Sequence, residues 1–143
     1  MKKFVVALIL LFAVSGYTYA QSVKEAYELQ ERCGKRAQEV FNKEYGNGNF
    51  SIDDRTFMIT YTNHYNRKLN KCFVILESIS FPKKKDKLGI LIDKTLWDIN
   101  EMKEYGGFAK FSDTDKLSRC LVLDKGCNSE IEWDSLVKPY MEE

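Results

Sequence analysis

The fold of this 143-residue chain is constrained most strongly by its four cysteines, Cys33, Cys72, Cys120 and Cys127. Whether cysteines crosslink depends on the compartment, because disulfides persist in oxidising environments and are rare in the cytosol. The N-terminal sequence indicates which compartment the chain is expected to reach.

The N-terminus has the three-part layout of a secretory signal peptide. Lys2 and Lys3 precede an uninterrupted apolar run at residues 4–14, and the small and polar segment SGYTYA follows. A transmembrane helix needs roughly 20 apolar residues, so an uncleaved membrane anchor is the less favoured alternative. We therefore expect a signal peptide at residues 1–20, one mature domain at residues 21–143, and a periplasmic or secreted location.

In an oxidising compartment four cysteines are expected to form two disulfides, and three pairings exist. We favour Cys33–Cys72 and Cys120–Cys127, because the second pair closes a hairpin-like loop in which Gly126 relaxes the turn. A zinc site is disfavoured because the chain has no C-x-x-C motif and contains a single histidine. We expect no metal and no cofactor.

Charge and composition disfavour two classes of protein. The chain has 22 basic and 21 acidic residues, whereas nucleic-acid-binding domains usually show a clear basic excess. Aromatic residues make up 13% of the chain, which argues against a disordered polypeptide. We therefore expect an ordered domain with no nucleic-acid partner.

The segment after the signal predicts an amphipathic helix. Ser22 and Glu25 have the spacing of a capping box at its start, and apolar residues then recur at helical spacing as far as Tyr45. Gly46 is placed to end the helix, and a flexible loop is predicted at residues 46–49. Cys33 lies on the apolar stripe of this helix.

Alternating and β-branched segments predict a sheet of four or five strands. Residues 56–66 alternate between two faces, and residues 72–81 are rich in β-branched and aromatic side chains. Further strands are predicted within residues 88–100, with a bulge near Lys94, at residues 105–112 with a bulge at the two glycines, and at residues 117–123. Short connections of the hairpin type favour antiparallel pairing.

The C-terminal tail has two interpretations. Ser129 and Glu132 form a second capping box, which predicts a helix from about Ile131 or Asp134 that Pro139 limits near its end. The alternative is a short strand at residues 131–133 followed by one helical turn.

The predicted fold is α+β: an N-terminal helix packed on a four- to five-stranded antiparallel sheet, with a short C-terminal helix. A Cys33–Cys72 disulfide would join this helix to the sheet. By analogy of element order alone, the layout resembles a cystatin-like or NTF2-like roll, and such folds include both enzymes and binding proteins.

The sequence contains no recognisable catalytic motif. His64 has no partner in the sequence that would make it a general base, the thiols are expected to be oxidised, and no G-x-S-x-G motif occurs. The Asp113-Thr114-Asp115 segment lacks the glycine and distal glutamate of a calcium loop. The basic run from Lys83 to Lys87 is either an anion-binding segment or a hairpin tip that is kept soluble.

Aromatic and amide side chains near the end of one predicted strand indicate a recognition surface. The candidate binding residues are Tyr61, Asn63, His64, Tyr65 and Arg67. Residues 105–108 are expected on a neighbouring strand, and together these groups suit recognition of a peptide or a sugar. The alternative is that these rings pack in the core and at its rim.

Three segments carry a resemblance to known proteins. CGKRA at residues 33–37, NHYNRKLNKCF at residues 63–73 and LVKPYM at residues 136–141 resemble a group of small exported bacterial proteins with no assigned activity. The resemblance spans most of the mature chain and implies a bacterial periplasmic or secreted protein. It contains no catalytic motif.

The sequence therefore favours a non-catalytic secreted or periplasmic binding protein whose partner is an envelope protein, a peptide or a glycan. The alternative is a small NTF2-like hydrolase or isomerase with a pocket on the concave sheet face, lined by His64 or tyrosines with a buried carboxylate. A sheet face without a pocket would exclude this alternative.

We expect the exported protein to begin at Gln21 and to contain no free thiol, because the signal is removed and the cysteines are oxidised. Intact mass spectrometry with iodoacetamide tests both points. The native protein should take up no alkyl group, and the reduced protein should take up four. A retained Met1, or four thiols already free, would contradict the prediction.

Overall fold

The computed structural model describes residues 2–83, 89–114 and 117–142, and it describes side chains from residue 23 onward. Its elements, in chain order, are α1 (Lys2–Tyr45), β1 (Asn49–Ile52), β2 (Arg55–Asn66), β3 (Lys71–Pro82), β4 (Leu91–Asp98), β5 (Lys103–Phe111), β6 (Leu117–Val122), β7 (Lys125–Gly126) and α2 (Glu130–Met141). The strands lie in one sheet in chain order, and each is antiparallel to the next. The predicted α+β class is confirmed.

The predicted start of the first helix is wrong for the full chain. The helix continues from Lys2 through Ser22 without a break, because the segment contains no proline and helix propagation costs little once a helix has formed. Its predicted end is confirmed. Gly46 adopts a φ of 62° and its amide donates to the carbonyl of Asn42 at 3.0 Å, as expected for a glycine that follows a helix.

The sheet has seven strands rather than four or five. The additional strands, β1 and β7, have only four and two residues, and both lie beside turn residues. Segments this short do not show a recognisable alternation of apolar and polar residues. The predicted flexible loop at residues 46–49 is a tight entry into β1. A side chain at Gly48 would come within 2.2 Å of the carbonyl oxygen of Ile59, so only glycine fits there.

The register of the central strands also corrects one prediction. The irregularity expected near Lys94 lies instead between Leu96 and Trp97. Leu96 is paired with Gly106 and Trp97 with Glu104, so Tyr105 is the extra residue on β5. The bulge therefore lies directly beside the glycine pair in which the sequence predicted one.

The two helices cover opposite faces of the sheet. Cys72 and Val74 of β3 pack in a cluster with Cys33 and Ala37 of α1, on what we name the α1 face. Phe73 of β3 points the other way, into a cluster that includes residues of α2, on the α2 face. Because β3 is buried on both faces, the start of this strand is an almost continuous apolar run rather than an alternating one.

Two disulfides lock this arrangement, and their pairing is the one that the sequence favoured. Cys33 of α1 bonds to Cys72 at the start of β3, with their Cα atoms 5.4 Å apart. Cys120 and Cys127 close the hairpin of β6 and β7, with their Cα atoms 5.1 Å apart. The first bond therefore joins the helix to the sheet, and the second is local.

The tail is a helix, as one of its two interpretations predicted. The amide of Glu132 donates to the Ser129 hydroxyl at 3.1 Å, as in a capped helix start. Trp133 is fully buried against the sheet. Asn66 at the end of β2 donates to the carbonyl oxygens of Pro139 and Tyr140, which satisfies acceptors that the end of a helix leaves free.

Within the described residues, the structure contains no helix long and apolar enough to cross a membrane.

The two disulfides should differ in their effect on stability. Replacing Cys33 and Cys72 by alanine should lower the free energy of unfolding by about 4 kcal/mol, and replacing Cys120 and Cys127 by about 2.5 kcal/mol, because the first bond closes a longer loop. Their sequence separations are 39 and 7 residues. Urea denaturation of the two double variants measures both values, and a larger loss for the hairpin pair would contradict this account.

Candidate functional site

The predicted binding residues do not form one surface. Three of them, Tyr61, Asn63 and Tyr65, point to the α1 face and lie under the helix. Tyr61 packs its ring against Phe41 of α1, with ring centroids 4.6 Å apart. The amide nitrogen of the Asn63 side chain lies 3.7 Å from Cys33 Sγ, and Tyr65 is 8% exposed.

The other two residues lie elsewhere. His64 pairs with Phe73, so its side chain points to the α2 face, and its Nε2 atom is buried with no hydrogen-bond partner in the described part of the chain. Arg67 is exposed in the turn that follows β2. Successive side chains of a strand point to opposite faces, so residues that are adjacent in the sequence lie on different sides of the sheet.

Other predicted features also lie apart or outside the described residues. Residues 105–108 were expected beside the β2 cluster, but β3 and β4 separate their strand from β2. Residues 84–87 of the basic run, and Asp115 of the acidic segment, fall outside the described ranges. Over the described residues, no group of three or more histidine, cysteine, aspartate or glutamate side chains is placed to hold a metal ion.

The structure places a pocket on the α1 face, between the C-terminal half of α1 and strands β3 and β4. Its volume is about 150 Å³. It is lined by side chains from α1, β3, β4 and the turn after β4, among them Phe41, Glu44, Tyr45, Leu76, Trp97 and Met102. We name this cavity the α1 pocket.

The α1 pocket exists because α1 covers only part of its face. The helix packs mainly on β2 and β3. On strands β4 to β6, the same face includes the small or polar residues Asp93 and Gly107, and Leu121 remains 37% exposed. Without large side chains to fill the margin between helix and sheet, an apolar recess remains open there.

Trp97 is the pocket residue with an unusual hydrogen-bonding state. Its indole Nε1 atom is buried and has no acceptor among the described residues. Leaving a buried donor unpaired costs about 1–3 kcal/mol. Because this atom is closed to solvent, it contributes no accessible donor to the α1 pocket, and Trp97 contributes its ring to the lining.

A charged group lies beside the pocket on the same face. The guanidinium of Arg119 covers Gly107, where an added side chain would come within 2.3 Å of its Cζ atom. Arg119 forms an ion pair with Glu104. Burial raises the pKa of nearby Asp93, and the negative charge of Glu104 adds to that rise while Arg119 opposes it.

The carboxylates also act on the pocket itself. Burial raises the pKa of Tyr45, and the negative charges of Glu44 and Asp93 raise it further. Glu44 and Tyr45 are the titratable residues among those that line the pocket. The potential at this end of the cavity is therefore set by carboxylates.

Sequence reasoning missed the α1 pocket. Its residues come from segments that are far apart in the chain, and each of them fits an ordinary core pattern. Phe41 and Tyr45 have the i, i+4 spacing of any buried helical stripe, and Trp97 is one aromatic residue in a predicted strand. How far the helix extends over the sheet decided which of these rings stayed accessible.

No protein-family model, curated protein or solved structure matches this chain.

Proposed function

We propose that this protein is an exported binding protein whose ligand inserts an apolar group into the α1 pocket. The single observation that carries this proposal is an apolar cavity whose lining includes the rings of Phe41, Tyr45 and Trp97. A cavity of about 150 Å³ is large enough for a benzene ring. A few polar groups in an otherwise apolar lining are typical of small-molecule sites, where they orient the ligand.

Export is supported by the chemistry of the cysteines and by the N-terminal sequence. The structure contains two disulfides and, in its described residues, no free cysteine, which is compatible with a periplasmic or extracellular protein. The signal-like residues 1–20 and the resemblance to small exported bacterial proteins point in the same direction. We retain a peptide, a glycan or an envelope protein as the source of the apolar group.

The cystatin-like or NTF2-like analogy belongs to this proposal. It is supported by one long helix that lies across an antiparallel sheet. The second helix, on the α2 face, is an addition to that simple layout.

One observation favours the catalytic alternative, a small hydrolase or isomerase. Glu44 and Tyr45 line the α1 pocket, and the half-buried Asp93 lies close enough for its charge to raise the pKa of Tyr45. A general acid or base has to reach the reacting proton directly or through one water. The two functions differ in outcome, because an enzyme releases a chemically altered ligand and a binding protein releases it unchanged.

Filling the α1 pocket should abolish ligand binding. N-phenyl-1-naphthylamine, a neutral probe that fluoresces in apolar sites, should bind the purified protein, and Leu76→Trp should weaken its affinity at least tenfold. Leu76 lines the pocket, and the added ring would occupy the cavity. Fluorescence titration measures the affinity, and thermal melting confirms that the variants are folded.

Ile79→Trp is the matched control, because Ile79 lies on the same strand but on the α2 face and is 39% exposed. This variant should bind the probe within twofold of the unmodified protein. Equal effects of the two substitutions, or no effect of Leu76→Trp, would contradict the proposed site.

A further inference from the structure

We propose that the α1 pocket selects a small organic cation, an alkylammonium group. This inference rests on the proposed function and specifies its ligand class. Two properties of the pocket argue for it: the aromatic rings that line it and the carboxylate in its lining.

The rings provide the first argument. Phe41, Tyr45 and Trp97 all line the cavity. Phe41 and Tyr45 have ring centroids 5.6 Å apart and planes inclined by 45°, so they form two non-parallel walls. The face of an aromatic ring carries negative potential and attracts cations, and sites for quaternary ammonium groups are built from several such rings.

The rings are held in place before any ligand arrives. Phe41 is 9% exposed and packs on Tyr61 at 4.6 Å between centroids, beneath the helix that the Cys33–Cys72 bond joins to the sheet. Ordering side chains on binding costs about 0.5–1.5 kcal/mol for each flexible group, and fixed rings avoid much of that cost.

Charge provides the second argument. Glu44 lines the pocket, and the charges of Glu44 and Asp93 both act on Tyr45. Arg119 lies on the same face, forms an ion pair with Glu104 and does not line the pocket. Lys43 lies 3.5 Å from Glu44, and because both side chains are at least half exposed, solvent screens this pair. Glu44 is the charged residue in the pocket lining, so the charge nearest to a bound ligand is negative.

Three probes of similar shape and different charge measure the contribution of charge to binding. Choline carries a trimethylammonium group and a hydroxyl, 3,3-dimethylbutan-1-ol is its neutral counterpart, and 3,3-dimethylbutanoate supplies the anionic form. Displacement of N-phenyl-1-naphthylamine from the purified protein measures each affinity. Choline should bind at least tenfold more tightly than the alcohol, and the anion should bind most weakly.

Substitution of one carboxylate tests the origin of that preference. Glu44→Gln should reduce the advantage of choline over the alcohol at least threefold while leaving the affinity of the alcohol unchanged. Glu39→Gln is the matched control, because Glu39 lies on the same helix, pairs with Arg36 and does not line the pocket. This control should leave the affinities of all three probes unchanged.

Two results would overturn the inference. Equal affinity for choline and the alcohol would remove the preference for a cation, while the pocket itself would stand if Leu76→Trp still abolished binding of the naphthylamine. Binding of 3,3-dimethylbutanoate as tight as that of choline would remove that preference as well. Failure of the naphthylamine to bind at all would refute the proposed function itself.

Discussion

The Cys33–Cys72 bond is the constraint on which the rest of this structure depends. It joins the C-terminal half of α1 to the first residues of β3, and so fixes the helix across β2 and β3 rather than across the whole α1 face. The buried helical side chains Ala37 and Phe41 follow from that placement. The open margin on the side of β4 is the space that becomes the α1 pocket.

Much of the fold is predictable from local patterns. The alternation of residues 56–66 and the β-branched run that follows gave strands whose ends agree with β2 and β3 within one residue. The four-residue β1 and the two-residue β7 were not predicted, because so few residues do not establish an alternating hydrophobic pattern. The predicted start of α1 was wrong. Ser22 can begin a helix only where no helical segment precedes it, and in the full chain residues 2–21 are helical.

The candidate site was not predictable from the sequence, because it depends on the tertiary structure. The predicted residues on β2 were chosen for their closeness in sequence, yet Tyr65 and His64 point to opposite faces. The pocket depends on how far one helix extends over the sheet, which no segment of the sequence specifies alone. The pKa of Tyr45 in the pocket is raised by the charges of Glu44 and Asp93, which lie on two different elements, α1 and β4.

The central claim is that the disulfide between helix and sheet holds the α1 pocket open, and binding to the two crosslink-free variants tests it most directly. With Cys33 and Cys72 replaced by serine, and the fold verified by circular dichroism, affinity for N-phenyl-1-naphthylamine should fall at least tenfold. With Cys120 and Cys127 replaced, affinity should stay within twofold, because that bond lies in the hairpin of β6 and β7. Unchanged binding after loss of the Cys33–Cys72 bond would contradict the account.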